Sequence, residues 1–291
     1  MDTVLRSRTK TVTIGAEQPF CIIGERINPT GRKAFAEELR AGDLSTVVID
    51  ARAQEEAGAD MVDVNAGIPL VDEAELLANM LRTVQDATDL PICIDSSVIE
   101  ALEAGLAAYD GKALVNSVTG EDDRLEEILP LVARHGAAVI GLANDETGIP
   151  ETPQQRLDIA RKIVSAAGDH GIPPEDVVID PLALTVGADT EAVTITLETM
   201  RLIRDELGVN MSLGASNVSF GLPARPQINA AFLPMAMTAG LTSAIMSTAT
   251  VVVETVRAAD LLLGHDPWGS RWIAAHRAKQ AAAAAAGAAG G

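Results

Sequence analysis

Eight short apolar runs recur along this chain, and nearly every one ends in a polar cluster. These runs predict strands at 21–28, 61–67, 91–97, 113–121, 138–145, 177–184, 211–219 and 242–247. Segments with helical spacing of apolar residues lie between them and predict helices at about 44–58, 72–87, 98–108, 124–135, 153–169, 191–207, 227–239 and 250–264. Eight alternations of a continuously apolar strand with a helix predict an α/β protein, a (β/α)8 TIM barrel.

The predicted barrel occupies residues 20–264, and the length of 291 residues suits a single barrel of ordinary size. Residues 1–19 are interpreted as a lead-in, in the form of a short hairpin that covers the bottom of the barrel. Residues 265–291 form a C-terminal extension that ends in an Ala/Gly-rich tail, to which we assign no role.

Polar side chains stand where several predicted strands end. Asp95 and Asp180 each close an apolar run, and Asn116 and Asn217 follow two others. Barrel enzymes place their chemistry at this face. A carboxylate among Ile and Val is costly unless a donor meets it, so two such acids favour a ligand rich in N–H groups. The edge of a pterin or a guanine offers parallel donors that a carboxylate accepts in bidentate fashion.

Each of these residues also has a purely structural interpretation. Asp180 precedes Pro181 and could cap a turn, while Asp95 could cap the helix that follows it. Asn116 and Asn217 could satisfy backbone groups of loops. The binding interpretation is favoured because four strand ends present such groups at once.

Charge and composition narrow the class of protein. The formal net charge of -19 argues against nucleic acid as a partner, because a phosphate backbone would be repelled. Cys21 and Cys93 both fall in predicted strands and are expected to be reduced core residues rather than metal ligands, so no bound metal is predicted. The start of the chain lacks the apolar stretch of a signal peptide, and a membrane-spanning run is absent. We expect a soluble, cytoplasmic protein without membrane contact.

Seven runs in order carry a resemblance to a known family. They are GERIN (24–28), DVNAG (63–67), IDSS (94–97), VNSVTGE (115–121), IGLANDETGIP (140–150), IDPL (179–182) and GASNVSFGLPARPQIN (214–229). Together they resemble the pterin-binding methyltransferase family, whose members are methyltetrahydrofolate:corrinoid protein methyltransferases. The folate domain of cobalamin-dependent methionine synthase and dihydropteroate synthase are relatives. The resemblance spans about residues 20–264.

The resemblance implies roles for particular residues. Asp95, Asn116 and Asp180 are expected to hold the pterin ring. Asn217 is expected to approach N5 of the folate and to help stabilise the protonated amine, with the proton arriving through water or Asp95. The remaining candidate binding residues lie on strand ends or beside Asn217: Asp63, Asn65, Asn144, Gly214 and Ser216.

The implied activity is transfer of a methyl group between N5 of methyltetrahydrofolate, the substrate, and the cobalt of a corrinoid (cobalamin). The chain has no D-x-H-x-x-G run and no cysteine cluster, so a separate corrinoid protein is expected to supply the cobalamin. We also expect a homodimer. Phe220 follows the SNVS motif here, whereas some corrinoid iron-sulfur protein methyltransferases have Gln at that place.

Two alternatives remain open at the level of sequence. A dihydropteroate synthase binds the same ring but requires basic residues near the late strands, where Arg225 is the sole candidate. A folate-binding protein without catalytic activity is the other alternative, because binding and catalytic residues overlap.

Three acidic loops are predicted to surround the mouth of the barrel, at 67–75, 119–127 and 144–153. A corrinoid is too large to enter a narrow pocket, so its carrier must dock over this face. We expect that association to be steered electrostatically and to weaken with salt.

Overall fold

The computed structural model describes residues 1–277 and 280, and a closed ring of parallel strands forms its centre. An antiparallel hairpin of β1 (Asp2–Arg6) and β2 (Thr11–Gly15) precedes the ring. The strands of the ring are β3 (Cys21–Ile27), β4 (Met61–Asn65), β5 (Ile92–Asp95), β6 (Leu114–Thr119), β7 (Ala138–Leu142), β8 (Val177–Asp180), β9 (Asn210–Met211) and β10 (Ser243–Met246).

Neighbouring strands follow the chain order, with β10 paired to β3 at the start of the sheet. The circle closes between β9 and β10, where the backbone N–H of Ile245 donates to the carbonyl of Leu213 over 2.9 Å. The predicted (β/α)8 TIM barrel is therefore confirmed.

Helices pack around the ring and connect its strands. They are α1 (Lys33–Arg40), α2 (Ser45–Glu56), α3 (Glu73–Ala87), α4 (Ile99–Ala108), α5 (Asp122–His135), α6 (Pro153–Asp169), α7 (Ala192–Glu206), α8 (Arg225–Ala239) and α9 (Thr250–Leu263). All eight predicted helices are present. The additional helix, α1, was not predicted, because Arg32 at its N-cap provides no side-chain cap and Pro29 and Gly31 precede it.

Local signals explain where several helices begin and end. At the start of α6, Thr152 and Gln155 form a reciprocal capping box, and Pro153 occupies the first turn. At the end of α5, Gly136 adopts a left-handed conformation with φ 59°, which costs glycine little. The predicted strand at 211–219 is shorter than expected, because a 3-10 helix at Ala215–Ser219 follows β9.

Two apolar clusters hold the barrel together. The larger one lies between the outward faces of the strands and the surrounding helices. The smaller one fills the interior of the ring and joins it to the hairpin: Leu5, Ile14, Cys21, Ile23, Met61, Cys93, Leu114, Ala138, Ile140 and Val178. Both cysteines are free and buried, in agreement with the prediction.

The hairpin closes the bottom of the barrel, where the strands begin. Leu5 and Ile14 are fully buried in the inner cluster. The side-chain amide of Asn210 donates to the hydroxyl of Thr3 and to the carbonyl of Ile14, both over 2.9 Å. The hydroxyl of Tyr109 donates to the carbonyl of Arg6 over 2.8 Å. The hairpin therefore covers the inner cluster at this end of the barrel.

The division into residues 1–19, 20–264 and 265–291 stays a prediction, although the hairpin within the first segment is present. The Ala/Gly-rich tail lies outside the described residues. Among the helices of residues 1–277 and 280, none is long and apolar enough to cross a membrane.

Candidate active site

A cavity of about 580 Å³ lies at the carboxyl ends of the barrel strands. Its volume is within the range of small-molecule sites. Seven of the nine candidate residues line it: Asp63, Asp95, Asn116, Asp180, Gly214, Ser216 and Asn217. The inward-facing positions that are apolar at the bottom of the strands thus become polar at the top.

Asp63 and Asp95 form a buried acid pair on adjacent strands. The side-chain amide of Asn116 donates to Oδ1 of Asp63 over 3.1 Å. Burial, and then the charge of Asp95, raise the pKa of Asp63 well above its usual value. Burial also raises the pKa of Asp95 to about 6, against the opposing hydrogen bonds from Asn65 and Asp63. Burial thus favours the protonated form of Asp63, and the two neighbouring acids titrate as a unit.

Asp180 stands at the end of β8, across the cavity from the acid pair. Burial raises its pKa to about 7, although the backbone N–H of Leu182 and the charge of Arg156 both favour the ionised form. Oδ1 of Asp180 accepts that N–H over 2.7 Å, so the residue caps a turn as well as facing the cavity. Arg156 is buried and donates to the carbonyls of Pro181 and Leu182, both over 2.9 Å, which fixes the loop after β8.

The loop after β9 presents Asn217 at the mouth of the cavity. Asn217 is exposed, whereas Ser216 beside it is buried. A Cβ atom on Gly214 would lie 2.9 Å from Nδ2 of Asn217, so a larger residue at this position would displace the Asn217 amide. The hydroxyl of Ser216 donates to Oε1 of Glu25 over 2.8 Å and accepts from Nδ2 of Asn229 over 3.3 Å. Asn217 is therefore displayed by a loop that is anchored in the protein.

Sequence reasoning missed Glu25 and Gln54, which also line the cavity. Burial raises the pKa of Glu25, while Ser216, Arg225 and Arg26 oppose the shift. Oε1 of Gln54 accepts the backbone N–H of Arg26 over 2.8 Å, and the buried Nε2 of Gln54 has no hydrogen-bond partner among the described residues. The GERIN run contains Glu25, but a single glutamate at a strand end has no pattern that separates it from a surface residue.

Asn65 and Asn144 do not line the cavity. Oδ1 of Asn65 accepts the backbone N–H of Gly67 over 2.8 Å, and its side chain also contacts Asp95. The carbonyl of Asn144 accepts the N–H of Gly120 over 2.8 Å. Asn65 thus supports a cavity residue, Asn144 shapes a loop, and a direct binding role for either stays a prediction.

Asp95 does not cap the helix that follows it. Val98 is the N-cap of α4, and the hydroxyl of Ser96 accepts its backbone N–H over 3.0 Å. Ser96 also donates to Glu73. Helix α4 thus begins without a side-chain cap, and the carboxylate of Asp95 faces the cavity.

Carboxylates that crowd in one cavity raise the question of a metal ion. Within residues 1–277 and 280, however, no group of three or more His, Cys, Asp or Glu side chains is placed to hold one. The cavity contains carboxyl groups that accept hydrogen bonds when ionised, and the exposed amide of Asn217 lies at its mouth. It can bind a flat heterocycle by its N–H edge and hold a proton near it.

Comparison of the sequence with known protein families identifies the family of this chain. The family described as pterin binding enzyme matches residues 24–247. The chain belongs to this family. The match includes every candidate residue of the cavity and excludes the hairpin that closes the bottom of the barrel.

Relatives within the family differ in how much of their own length they share with this pterin-binding chain. A methylcorrinoid:tetrahydrofolate methyltransferase of Eubacterium limosum is 34% identical over 254 residues, which is 84% of this chain and 92% of the relative. A methionine synthase of Mycobacterium tuberculosis is 34% identical over 247 residues, which is 79% of this chain and 20% of the relative. The chain thus spans about a fifth of methionine synthase.

Solved structures share the fold at lower sequence identity. Dihydropteroate synthase of Xanthomonas albilineans with 4-aminobenzoic acid superposes with a TM-score of 0.69 at 18% identity, covering 89% of this chain and 98% of that one. The Yersinia pestis enzyme with a pterine-sulfa conjugate gives a TM-score of 0.67 at 15% identity over the same shares of the two chains. These likenesses establish the barrel and nothing finer.

Proposed function

We propose that this enzyme transfers a methyl group between N5 of (methyl)tetrahydrofolate and the cobalt of a corrinoid that a separate protein carries. The main support is a single cavity that contains both acceptor side chains suited to a pterin and, at its mouth, Asn217. The relative from Eubacterium limosum, matched over nearly its whole length, supports the same reaction.

The acid side of the cavity suits the N–H edge of a pterin. With pKa values of about 6 and about 7, Asp95 and Asp180 are largely or partly ionised near neutral pH and can accept ring and amine N–H groups. Asp63 lies beside Asp95 on the next strand, and Asn116 adds an amide that both donates and accepts. The chain thus holds the ring by complementary donors and acceptors.

The reaction requires that N5 carry a proton when the methyl group leaves, because a tertiary amine is otherwise a poor leaving group. The corrinoid cobalt accepts the methyl group in one direction and supplies it in the other. Asn217 is a neutral amide and cannot act as a formal acid, but its oxygen can accept a hydrogen bond from N5–H and stabilise the charge. Asp95, with a pKa of about 6, is suited to deliver the proton directly or through water.

The open mouth leaves room for a partner that brings its cofactor to the folate. Acidic residues of the rim include Asp122 and Asp123 at the start of α5, as well as Asp145 and Glu146 after β7. We include in the proposal that the corrinoid protein docks on this face through a surface of opposite charge.

Homodimer formation is a separate part of the proposal. Apolar side chains are exposed on two neighbouring helices, at Met235 on α8 and at Val251 and Leu262 on α9. Such a surface suits contact between two copies. Sedimentation of the purified chain tests this point.

The decisive experiment mixes the protein with methyltetrahydrofolate and free cob(I)alamin and follows the cobalt absorption spectrum. Conversion to methylcobalamin that depends on the protein supports the proposal. Folate binding without conversion would establish a non-catalytic binding protein. Condensation of a pterin pyrophosphate with 4-aminobenzoate would establish a synthase, for which Arg225 is the basic residue of the cavity that follows the late strands.

A further inference from the structure

The cavity has two sides of opposite charge. Asp63, Asp95 and Asp180 lie along the arc of the ring that runs from β4 to β8. Arg26 and Arg225 stand on the other side, on β3 and at the start of α8. These two arginines face the same region because β10 alone separates β3 from β9 in the ring.

The basic side begins with an unusual segment of sequence. Residues 26–33 read RINPTGRK and contain three basic residues and no acidic one, in a chain whose net charge is -19. A patch of this sign in so acidic a protein attracts anions that the rest of the surface repels.

The arginines differ in how firmly other groups hold them. Arg32 is committed to Asp50, with Nη1 2.6 Å from Oδ2, and it lies 4.4 Å from the ring centre of Phe35. Arg26 approaches Asp50 only at 3.9 Å, and its side chain is 59% exposed. Arg26 can therefore turn its guanidinium toward a ligand at small cost.

Arg225 has a structural task and an adjacent aromatic ring. It donates from Nη2 to the carbonyl of Ser216 over 2.8 Å and from Nε to the hydroxyl of Ser219 over 3.2 Å. Its guanidinium carbon lies 5.8 Å from the ring centre of Phe220, which lines the cavity and is 66% exposed. Phe220 thus offers an apolar face between the acid side and the solvent.

We propose that the basic side is a subsite for the anionic tail of the folate, and that Arg26 makes the enzyme prefer polyglutamyl over monoglutamyl folates. This inference rests on the proposed function. A folate has an N–H-rich head, an aromatic middle and a carboxylate tail, and the cavity presents acids, Phe220 and arginines to match them. Every further glutamyl unit adds a carboxylate that a guanidinium can bind in bidentate fashion.

Glu25 lies among these arginines, and one of its oxygens accepts the hydroxyl of Ser216. Asp50 pairs with Arg32. Even with both carboxyl groups ionised, Arg26, Arg32 and Arg225 outnumber them, so this side of the cavity carries a net positive charge.

The test measures binding by calorimetry for three ligands: tailless tetrahydropterin, tetrahydrofolate with one glutamyl unit, and tetrahydrofolate with three. Wild type should bind the triglutamyl form more tightly than the monoglutamyl form by about threefold to tenfold at low salt. In Arg26→Gln this preference should largely vanish, while binding of the tailless pterin is unchanged. Added salt should reduce the preference in wild type.

Arg134→Gln is the matched control. Arg134 is 61% exposed, loses the same charge on substitution, and lies at the C-terminal end of α5, at the bottom of the barrel. It should keep the wild-type preference. Equal binding of both folates by wild type, or equal loss of preference in the two variants, would overturn the subsite. If wild type binds neither tetrahydropterin nor tetrahydrofolate, the proposed function itself fails, and the subsite fails with it.

Discussion

The two ends of the barrel are built from the same strands, but they differ in whether buried polar side chains find partners within the protein. At the bottom, Asn210 meets Thr3 and the hairpin backbone, and Lys112 lies 2.6 Å from Asp176. At the top, Asp63 lies beside another acid, Asp95, and burial raises the pKa of both.

The difference shows in the electrostatics. Desolvation raises the pKa of Asp63, Asp95 and Asp180 because neighbouring groups of the protein only partly compensate the ionised forms. At the bottom of the barrel, groups of the protein itself pair with the buried polar side chains. At the top, a ligand would provide the partners. Substitutions at the two ends should therefore affect different properties.

Removal of a side chain from the bottom should have the largest effect, and it should fall on stability. Leu5 is fully buried in the inner cluster, and Leu5→Ala should lower the free energy of unfolding by about 3 kcal/mol through lost burial and a cavity. Urea denaturation measures this. Leu262→Ala, at a side chain that is 86% exposed, should change stability little. Weaker folate binding by folded Leu5→Ala would show that the two ends are coupled.

Asn217→Ala should lower the methyl-transfer rate by a factor on the order of 10² while leaving the protein folded, because one transition-state hydrogen bond is lost. Single-turnover kinetics with methyltetrahydrofolate and cob(I)alamin measure the rate. Asn79→Ala, at an exposed asparagine on α3, is the control. Kinetics equal to those of the wild type would remove Asn217 from the mechanism.

Asp180→Asn should act on binding and on stability in opposite directions. Loss of a charge-assisted contact should weaken folate binding by roughly 2–3 kcal/mol. The pKa of Asp180 is about 7 in the folded protein against an ordinary 3.8, so its ionisation destabilises the fold as pH rises between these values. The variant should therefore unfold with a free energy higher by about 2 kcal/mol at about pH 8, and not at about pH 4.

Calorimetry and thermal denaturation test the two halves of this prediction separately. Asp169→Asn, at an exposed position at the end of α6, is the control for loss of an acid. A variant that binds folate as tightly as the wild type would exclude Asp180 from pterin recognition. A variant that is less stable at about pH 8 would show that Asp180 supports the fold.

Folate affinity should depend on pH in the range where the acids of the cavity titrate. The ionised carboxylates accept the ligand's N–H groups, so affinity should fall by about tenfold between about pH 8 and about pH 6. The fall reflects protonation of Asp180, with a pKa of about 7, and the beginning of protonation of Asp95, with a pKa of about 6. Calorimetry at several pH values measures it. In Asp180→Asn the dependence near pH 7 should flatten, and an unchanged profile would assign it to other groups.

The smallest effect should come from the rim. Asp122→Lys with Asp123→Lys should slow turnover with the corrinoid protein by about fivefold at low salt, and leave the reaction with free cobalamin nearly unchanged. Asp122 already lies 2.7 Å from Lys162, so the single variant Asp123→Lys isolates the less committed carboxylate. Asp169→Lys at the bottom is the control. Equal slowing of both reactions, or no response to salt, would place docking elsewhere.

Much of the fold follows from the sequence because parallel barrel strands are buried on both faces. Such strands appear in the sequence as continuous apolar runs, and each of the eight predicted runs overlaps a strand. The last part of the run at 211–219 is helical instead, because Gly214 and the anchored Ser216 turn the chain toward the cavity. Helix α1 was missed because its start lacks a cap signal.

The candidate site was predictable where polarity changes abruptly along a strand. Asp95, Asn116 and Asp180 follow uninterrupted apolar residues, and each lines the cavity. Asn144 also follows an apolar run but does not line the cavity, because the pattern does not specify the direction in which the chain leaves a strand. Glu25 and Gln54 reach the cavity through contacts between distant segments, such as the hydrogen bond from the hydroxyl of Ser216 to Glu25. Local sequence patterns do not reveal such contacts.

The hairpin at the bottom of the barrel also constrains the order in which the chain can fold. Its anchor, Asn210, is nearly two hundred residues away from Ile14, and β3 gains one of its two neighbours only when β10 arrives. During synthesis from the N-terminus, one edge of β3 therefore stays unpaired until β10 has been made. Contacts between residues so far apart in sequence form slowly. We therefore expect closure of the ring to be a late step in folding, and the chain to be most prone to aggregation before it.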